Sequence, residues 1–87
     1  MEKPNLLIVD DEKNIRLGLK LGIDWAALGI GEVYAACDGI EAITLLQEHP
    51  IHIIITDVRM PGIDGLELCA RVSTLYPNTQ MIILSGY

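Results

Sequence analysis

Hydrophobic positions along this chain alternate between two regimes. Leu6-Leu7-Ile8-Val9, Ile53-Ile54-Ile55 and Met81-Ile82-Ile83-Leu84 are short runs that are apolar at every position, and Val33-Tyr34-Ala35-Ala36-Cys37 is a weaker fourth. Such runs suit strands covered on both faces, as in a parallel sheet. Between them the apolar residues recur at helical spacing. After the charged start Asp11-Glu12, residues Ile15, Leu19 and Ile23 face one side of a helix, with Arg16 and Lys20 on a wetter side. Gly22, Gly29 and Gly31 mark the way out of that helix, past Trp25 and Leu28. Asp38, with Glu41 three residues on, has the spacing of a capped helix start; Ile40, Ile43 and Leu46 carry this second helix, widened by Ala42 and Leu45, as far as Pro50. Leu66, Cys69, Val72 and Leu75-Tyr76 give a third, ending at Pro77-Asn78. The order strand, helix, strand, helix, strand, helix, strand predicts an α/β fold: a doubly wound parallel sheet with helices on both faces. At 87 residues the chain is one small domain at most.

The strand ends carry the chemistry. Asp10 and Asp11 follow the first strand, Asp57 closes the third, and Ser85 follows the fourth. All fall on the carboxyl edge of the sheet, where open α/β folds place their ligand sites. Carboxylates gathered there repel one another and resist loss of water, so the arrangement is sensible only with a cation or a role in proton exchange. All-oxygen ligands with room left for water and phosphate suit Mg²⁺, with Mn²⁺ as a substitute and Ca²⁺ less favoured. Zinc is a poor fit, because His49 and His52 straddle the break at Pro50. Asp64 reads as a loop residue and Glu12 as a helix-start acid.

Composition narrows the partners. A hydrophobic fraction of 51% with one Trp, three Tyr and no Phe implies aliphatic layers. The net charge of −6 argues against this segment gripping a phosphate backbone and favours metal cations or basic partners. Cys37 and Cys69 read as reduced core thiols of a cytoplasmic protein. Only four apolar residues precede Asp10-Asp11, too few for a signal peptide or a membrane span.

An aspartate with an ordinary pKa of about 4 is ionised at neutral pH and can attack phosphorus without a base to activate it. Asp57 is therefore a candidate phosphoryl acceptor, with a bridging metal for charge neutralisation and the Ser85 hydroxyl for a phosphoryl oxygen. A metal-dependent hydrolase fits less well, because Arg59 stands where a general acid two residues after Asp57 would be needed.

Val9-Asp10-Asp11-Glu12, then Asp57-Val58-Arg59-Met60-Pro61-Gly62-Ile63-Asp64-Gly65, then Ser85-Gly86, together resemble the receiver domain of two-component response regulators. The resemblance spans essentially residues 1–87 and implies a flavodoxin-like fold with strand order 2-1-3-4-5. It also implies that Asp57 is the phospho-acceptor, served by a sensor histidine kinase. Asp11 would be a direct Mg²⁺ ligand, Asp10 an acid acting mainly through metal-bound water, Arg59 the donor of a backbone carbonyl to the metal, and Ser85 the switch hydroxyl. Asp24-Trp25-Ala26-Ala27-Leu28-Gly29-Ile30 is similar to regulators with an AraC-type DNA-binding effector, which would make DNA a partner only through a domain outside this chain. Against the five strands and five helices of a receiver, this sequence supplies four strands and three helices and lacks the lysine of the fifth strand. It is read as a partial, incomplete receiver that takes up phosphate less readily than a whole one. The alternative is a remnant that does not switch and serves only as an association module, self-associating through the exposed edge of the fourth strand.

Overall fold

The computed structural model describes residues 2–84. Its elements are β1 (Leu6–Val9), α1 (Lys13–Gly22), β2 (Val33–Ala36), α2 (Gly39–Glu48), β3 (Ile53–Asp57), α3 (Gly65–Leu75) and β4 (Gln80–Leu84). All four strands are parallel, in the order β2-β1-β3-β4. The expected doubly wound α/β architecture is thus present. Leu6 pairs with both Val33 and Ile53, and Ile53 with Gln80, so the strands start level, and β3 and β4 run one residue past β1 and β2. That register carries Asp10 and Asp57 to the same edge.

Because side chains alternate along a strand, the sheet divides its aliphatic residues between two faces. Leu7, Val9 and Ile54 pack with Ala42, Leu46, Met60, Leu68 and Val72 beneath α2 and α3. On the other face Leu6 and Ile8 meet Ile30, with Leu19, Trp25, Val33, Ile53 and Ile55 partly buried around them. All four β1 residues are buried, as its central place demands. The coverage is uneven, since two helices lie on one face and only α1 on the other.

That imbalance corrects part of the sequence reading. Ile15, Leu19 and Ile23 do not form a buried seam: α1 buries no residue fully, and Ile15 and Ile23 are 45% and 38% exposed. Leu19 alone of the three packs on the sheet, joined by Trp25, whose indole N–H donates to the Leu19 carbonyl at 2.9 Å. The acids Asp11 and Glu12 also lie before the helix, with Glu12 at the N-cap and no acid in the first turn.

The other two helices start where expected but turn differently. Asp38 caps α2 by accepting from the Glu41 N–H at 2.8 Å, and Glu41 in return accepts from the Cys37 N–H at 3.1 Å. The inward face of α2 runs through Ala42 and Leu46, leaving Ile40 out in solvent. Asp64, expected as a loop residue, caps α3 through the Glu67 N–H at 2.8 Å. In α3 the buried pair is Leu68 and Val72, while Leu66 and Leu75 are exposed. At the opposite end of α2, His49 is the C-cap and stacks on Tyr34 with ring centroids 4.5 Å apart. Cys37 and Cys69 are free thiols, as expected, but only half-buried.

Candidate functional site

Asp57 is the last residue of β3, and the chain around it is tightly determined. Thr56 is fully buried and its hydroxyl donates to the Asp57 carbonyl at 3.0 Å. The loop after it turns at Gly62, whose φ of 76° favours glycine, and closes when the Gly65 N–H donates to the Val58 carbonyl at 2.9 Å. A Cβ at Gly65 would overlap the Asp57 carbonyl, so only glycine lets α3 begin directly behind the acid. Met60, from the same loop, anchors it by burial in the core.

Asp10 follows β1 and is 4% exposed. Its N–H donates to the Ala36 carbonyl at 3.2 Å, one carboxylate oxygen accepts from the Glu12 N–H at 2.9 Å, and its carbonyl accepts from Arg16 Nη1 at 2.9 Å. Asp11, next in the chain, is exposed. Carboxylate oxygens of Asp10, Asp11 and Asp57 lie within 4.8 Å of one another. They open on a cavity of about 410 Å³ whose wall is completed by Glu12, Ile15, Arg59 and Leu84.

Burial is the main cause that raises the Asp10 pKa above the ordinary carboxylate value, opposed by the Glu12 N–H and reinforced by the charges of Asp57 and Asp11, with Arg16 pulling the other way. Crowded acids with a desolvated member are poorly served by water alone. Three carboxylates at this spacing, on a wall open to solvent, fit a hard divalent ion that keeps several waters, as Mg²⁺ does.

The structure therefore brings Asp10, Asp11, Asp57 and Arg59 together, Arg59 also lining a neighbouring hollow with Asp11, Met60 and Pro61. Ser85 lies outside the described residues. The sequence pattern does not single out two residues at the site: Thr56 is hidden inside an apolar strand run, and Arg16 stands on what the pattern marks as a wet helix face. A trace of Arg16 exists in the sequence, since the first turn of a helix that starts just after a strand-end acid brings its fourth residue back toward that strand.

The model of the response regulator receiver domain matches residues 6–87. The chain belongs to the response regulator receiver family. Receivers of this family are signalling modules of two-component systems. This receiver is 44% identical over 82 residues to the uncharacterised transcriptional regulatory protein YesN of Bacillus subtilis, a match that takes in 94% of the chain and 22% of YesN. It is also similar to the crystal structure of an AraC two-component transcriptional regulator from Clostridium phytofermentans, with 46% identity and a TM-score of 0.90, covering 97% of this chain and 65% of that one. A third likeness is to the receiver domain of AraT, a response regulator from Geobacillus stearothermophilus, at 37% identity and a TM-score of 0.91, covering 99% of this chain and 67% of that one. The receiver thus spans about a fifth of YesN and about two thirds of each of the two structures. None of its described helices is long and apolar enough to cross a membrane.

Proposed function

We propose that this receiver accepts a phosphoryl group on Asp57 from the phosphohistidine of a sensor histidine kinase, with Mg²⁺ held by Asp10, Asp11, Asp57 and the Arg59 carbonyl. The observation that carries the reading is the convergence of three carboxylates within 4.8 Å at the carboxyl edge of the sheet. Bound Mg²⁺ supplies charge neutralisation for the phosphoryl oxygens as they pass between donor and acceptor. The remaining work falls to this chain. β3 and the Thr56 hydroxyl fix the backbone of Asp57, and the Gly65 contact keeps the loop clear of it. An Asp57 oxygen forms the new O–P bond as the donor's N–P bond breaks, and the released imidazole takes up a proton. The Ser85 hydroxyl belongs to the same reading as a donor to a phosphoryl oxygen. So do a cytoplasmic location and contact with DNA only through an effector domain beyond these residues, in keeping with the transcriptional regulators to which the chain is similar.

The test uses a small phosphodonor. Incubation with acetyl phosphate and Mg²⁺, borohydride reduction of the acyl phosphate to the alcohol with release of phosphate, and peptide mass spectrometry are expected to show one reduced residue, at Asp57, lost with a chelator and in Asp57→Asn. Label on another residue, or label that ignores the metal, contradicts the proposal. A second reading, an association module that does not switch, draws support from Ile82 and Leu84, 48% and 40% exposed on β4.

A further inference from the structure

Asp10 and Arg16 are joined by a closed ring of hydrogen bonds. The Glu12 N–H donates to Asp10 Oδ1 at 2.9 Å, the Arg16 N–H donates to the Glu12 carbonyl at 3.0 Å, and Arg16 Nη1 donates to the Asp10 carbonyl at 2.9 Å. The ring encloses Asp11, which has no strand pairing of its own. We propose that Arg16 is a positioning residue of the acidic site, holding the Asp10–Glu12 turn so that the carboxylates of Asp10 and Asp11 stay within reach of Asp57. The inference rests on the reading above that these acids hold a divalent cation.

Three observations favour it. First, β1 ends at Val9, and beyond the Asp10 N–H no sheet ladder constrains the turn. Asp10 is 4% exposed, so its carbonyl has little access to water and needs a partner. Second, the first turn of α1 lacks other anchors: Glu12 makes no side-chain cap, and no residue of the helix is buried. The Arg16 guanidinium is the side chain that ties this end of the helix back to the sheet. Third, the Arg16 charge acts on Asp10 only as the least of the influences on its pKa, and among the described residues Arg16 forms no ion pair with Asp10, Asp11 or Asp57. Its short contact is with a backbone carbonyl, which acts on geometry. Partners that orient metal ligands in this way are commonly needed for affinity although they never touch the metal.

Charge and geometry predict opposite signs, which makes the test decisive. Removing a cation beside a metal site strengthens binding of a second cation, whereas releasing the turn weakens it. Mn²⁺ titration followed by electron paramagnetic resonance, on the full chain at a temperature where circular dichroism shows each variant folded, is expected to give about ten-fold weaker binding for Arg16→Met than for the wild type. Arg16→Lys, which keeps the charge and a single donor, is expected to fall between them. Binding by Arg16→Met that equals or exceeds the wild type overturns the proposal. A second measurement needs no metal: in chelator, amide hydrogen exchange at Glu12 is expected to be several-fold faster in Arg16→Met, and unchanged exchange overturns the proposal as well. Should the wild type bind no Mn²⁺, the metal reading fails, and the exchange rates still decide whether Arg16 holds the turn.

Discussion

Asp10 shows what a functional residue costs the fold that carries it. Buried at 4% exposure and facing two other acids, it has its pKa raised chiefly by that burial. Replacing it by Asn removes the charge but keeps an oxygen for the Glu12 N–H, so in the absence of metal Asp10→Asn is expected to stabilise the chain by about 1 kcal/mol at neutral pH. The sign follows from linkage: a raised carboxylate pKa in the folded state favours the fold at low pH, and that advantage is lost as pH rises through the folded value. The gain from Asp10→Asn therefore vanishes in acid, below the unfolded pKa, and grows toward neutrality. Urea midpoints in chelator at a series of pH values measure it, and a midpoint that falls on substitution at neutral pH contradicts the account.

At the scale of elements, the three helices differ in how their starts are secured. Asp38 and Asp64 each accept a hydrogen bond from the N–H three residues on, at 2.8 Å in both cases, while Glu12 at the start of α1 makes no such bond. Asp38→Ala and Asp64→Ala are each expected to cost about 1 kcal/mol, and Glu12→Ala less than about 0.5 kcal/mol. Thermal unfolding of the three variants decides the matter, and equal losses at all three would show that the caps are not what distinguishes these helices. Cys37 reports on the same element. Burial and then the carboxylates of Glu41 and Asp38 push its thiol pKa up, so it is a weak nucleophile despite partial exposure.

At the scale of the whole molecule, the distribution of cover matters most. Among the described residues β4 pairs only with β3, and on the face shared with α1 its Ile82 and Leu84 are 48% and 40% exposed. A parallel sheet is stable when both faces are covered, and an apolar edge strand without charge or proline invites another chain. The 87-residue chain is therefore expected to self-associate through β4 at micromolar concentration. Ile82→Lys is the informative variant, because Ile83 points to the better covered face beside Thr56. Sedimentation equilibrium is expected to show a dimer or larger species that Ile82→Lys shifts toward monomer; a monodisperse wild-type monomer would refute it.

What the sequence determined by itself was the alternation of elements, the parallel sheet and the acids at its carboxyl edge. Those follow from local signals: β-branched runs, an Asp three residues before a Glu, a Pro after a helix, and a strand that stops at a carboxylate. Boundaries were nearly as legible, with β2 ending at Ala36 and β4 beginning at Gln80, each one residue from expectation. Helix rotation was not. In α3 an apolar residue stands at Leu66, Leu68, Cys69, Val72 and Leu75, enough to draw more than one stripe, and packing against the sheet selects Leu68 and Val72 as the buried pair. For α1 the sequence wrote a well-formed apolar stripe that the fold leaves half in solvent, because a stripe records which side is apolar and not how much sheet lies beneath it. The bond from Arg16 to the Asp10 carbonyl is of the same kind, since it spans six residues and depends on where α1 starts relative to β1. Residue types announced the chemistry of the site, and only tertiary packing decided which neighbours hold it in place.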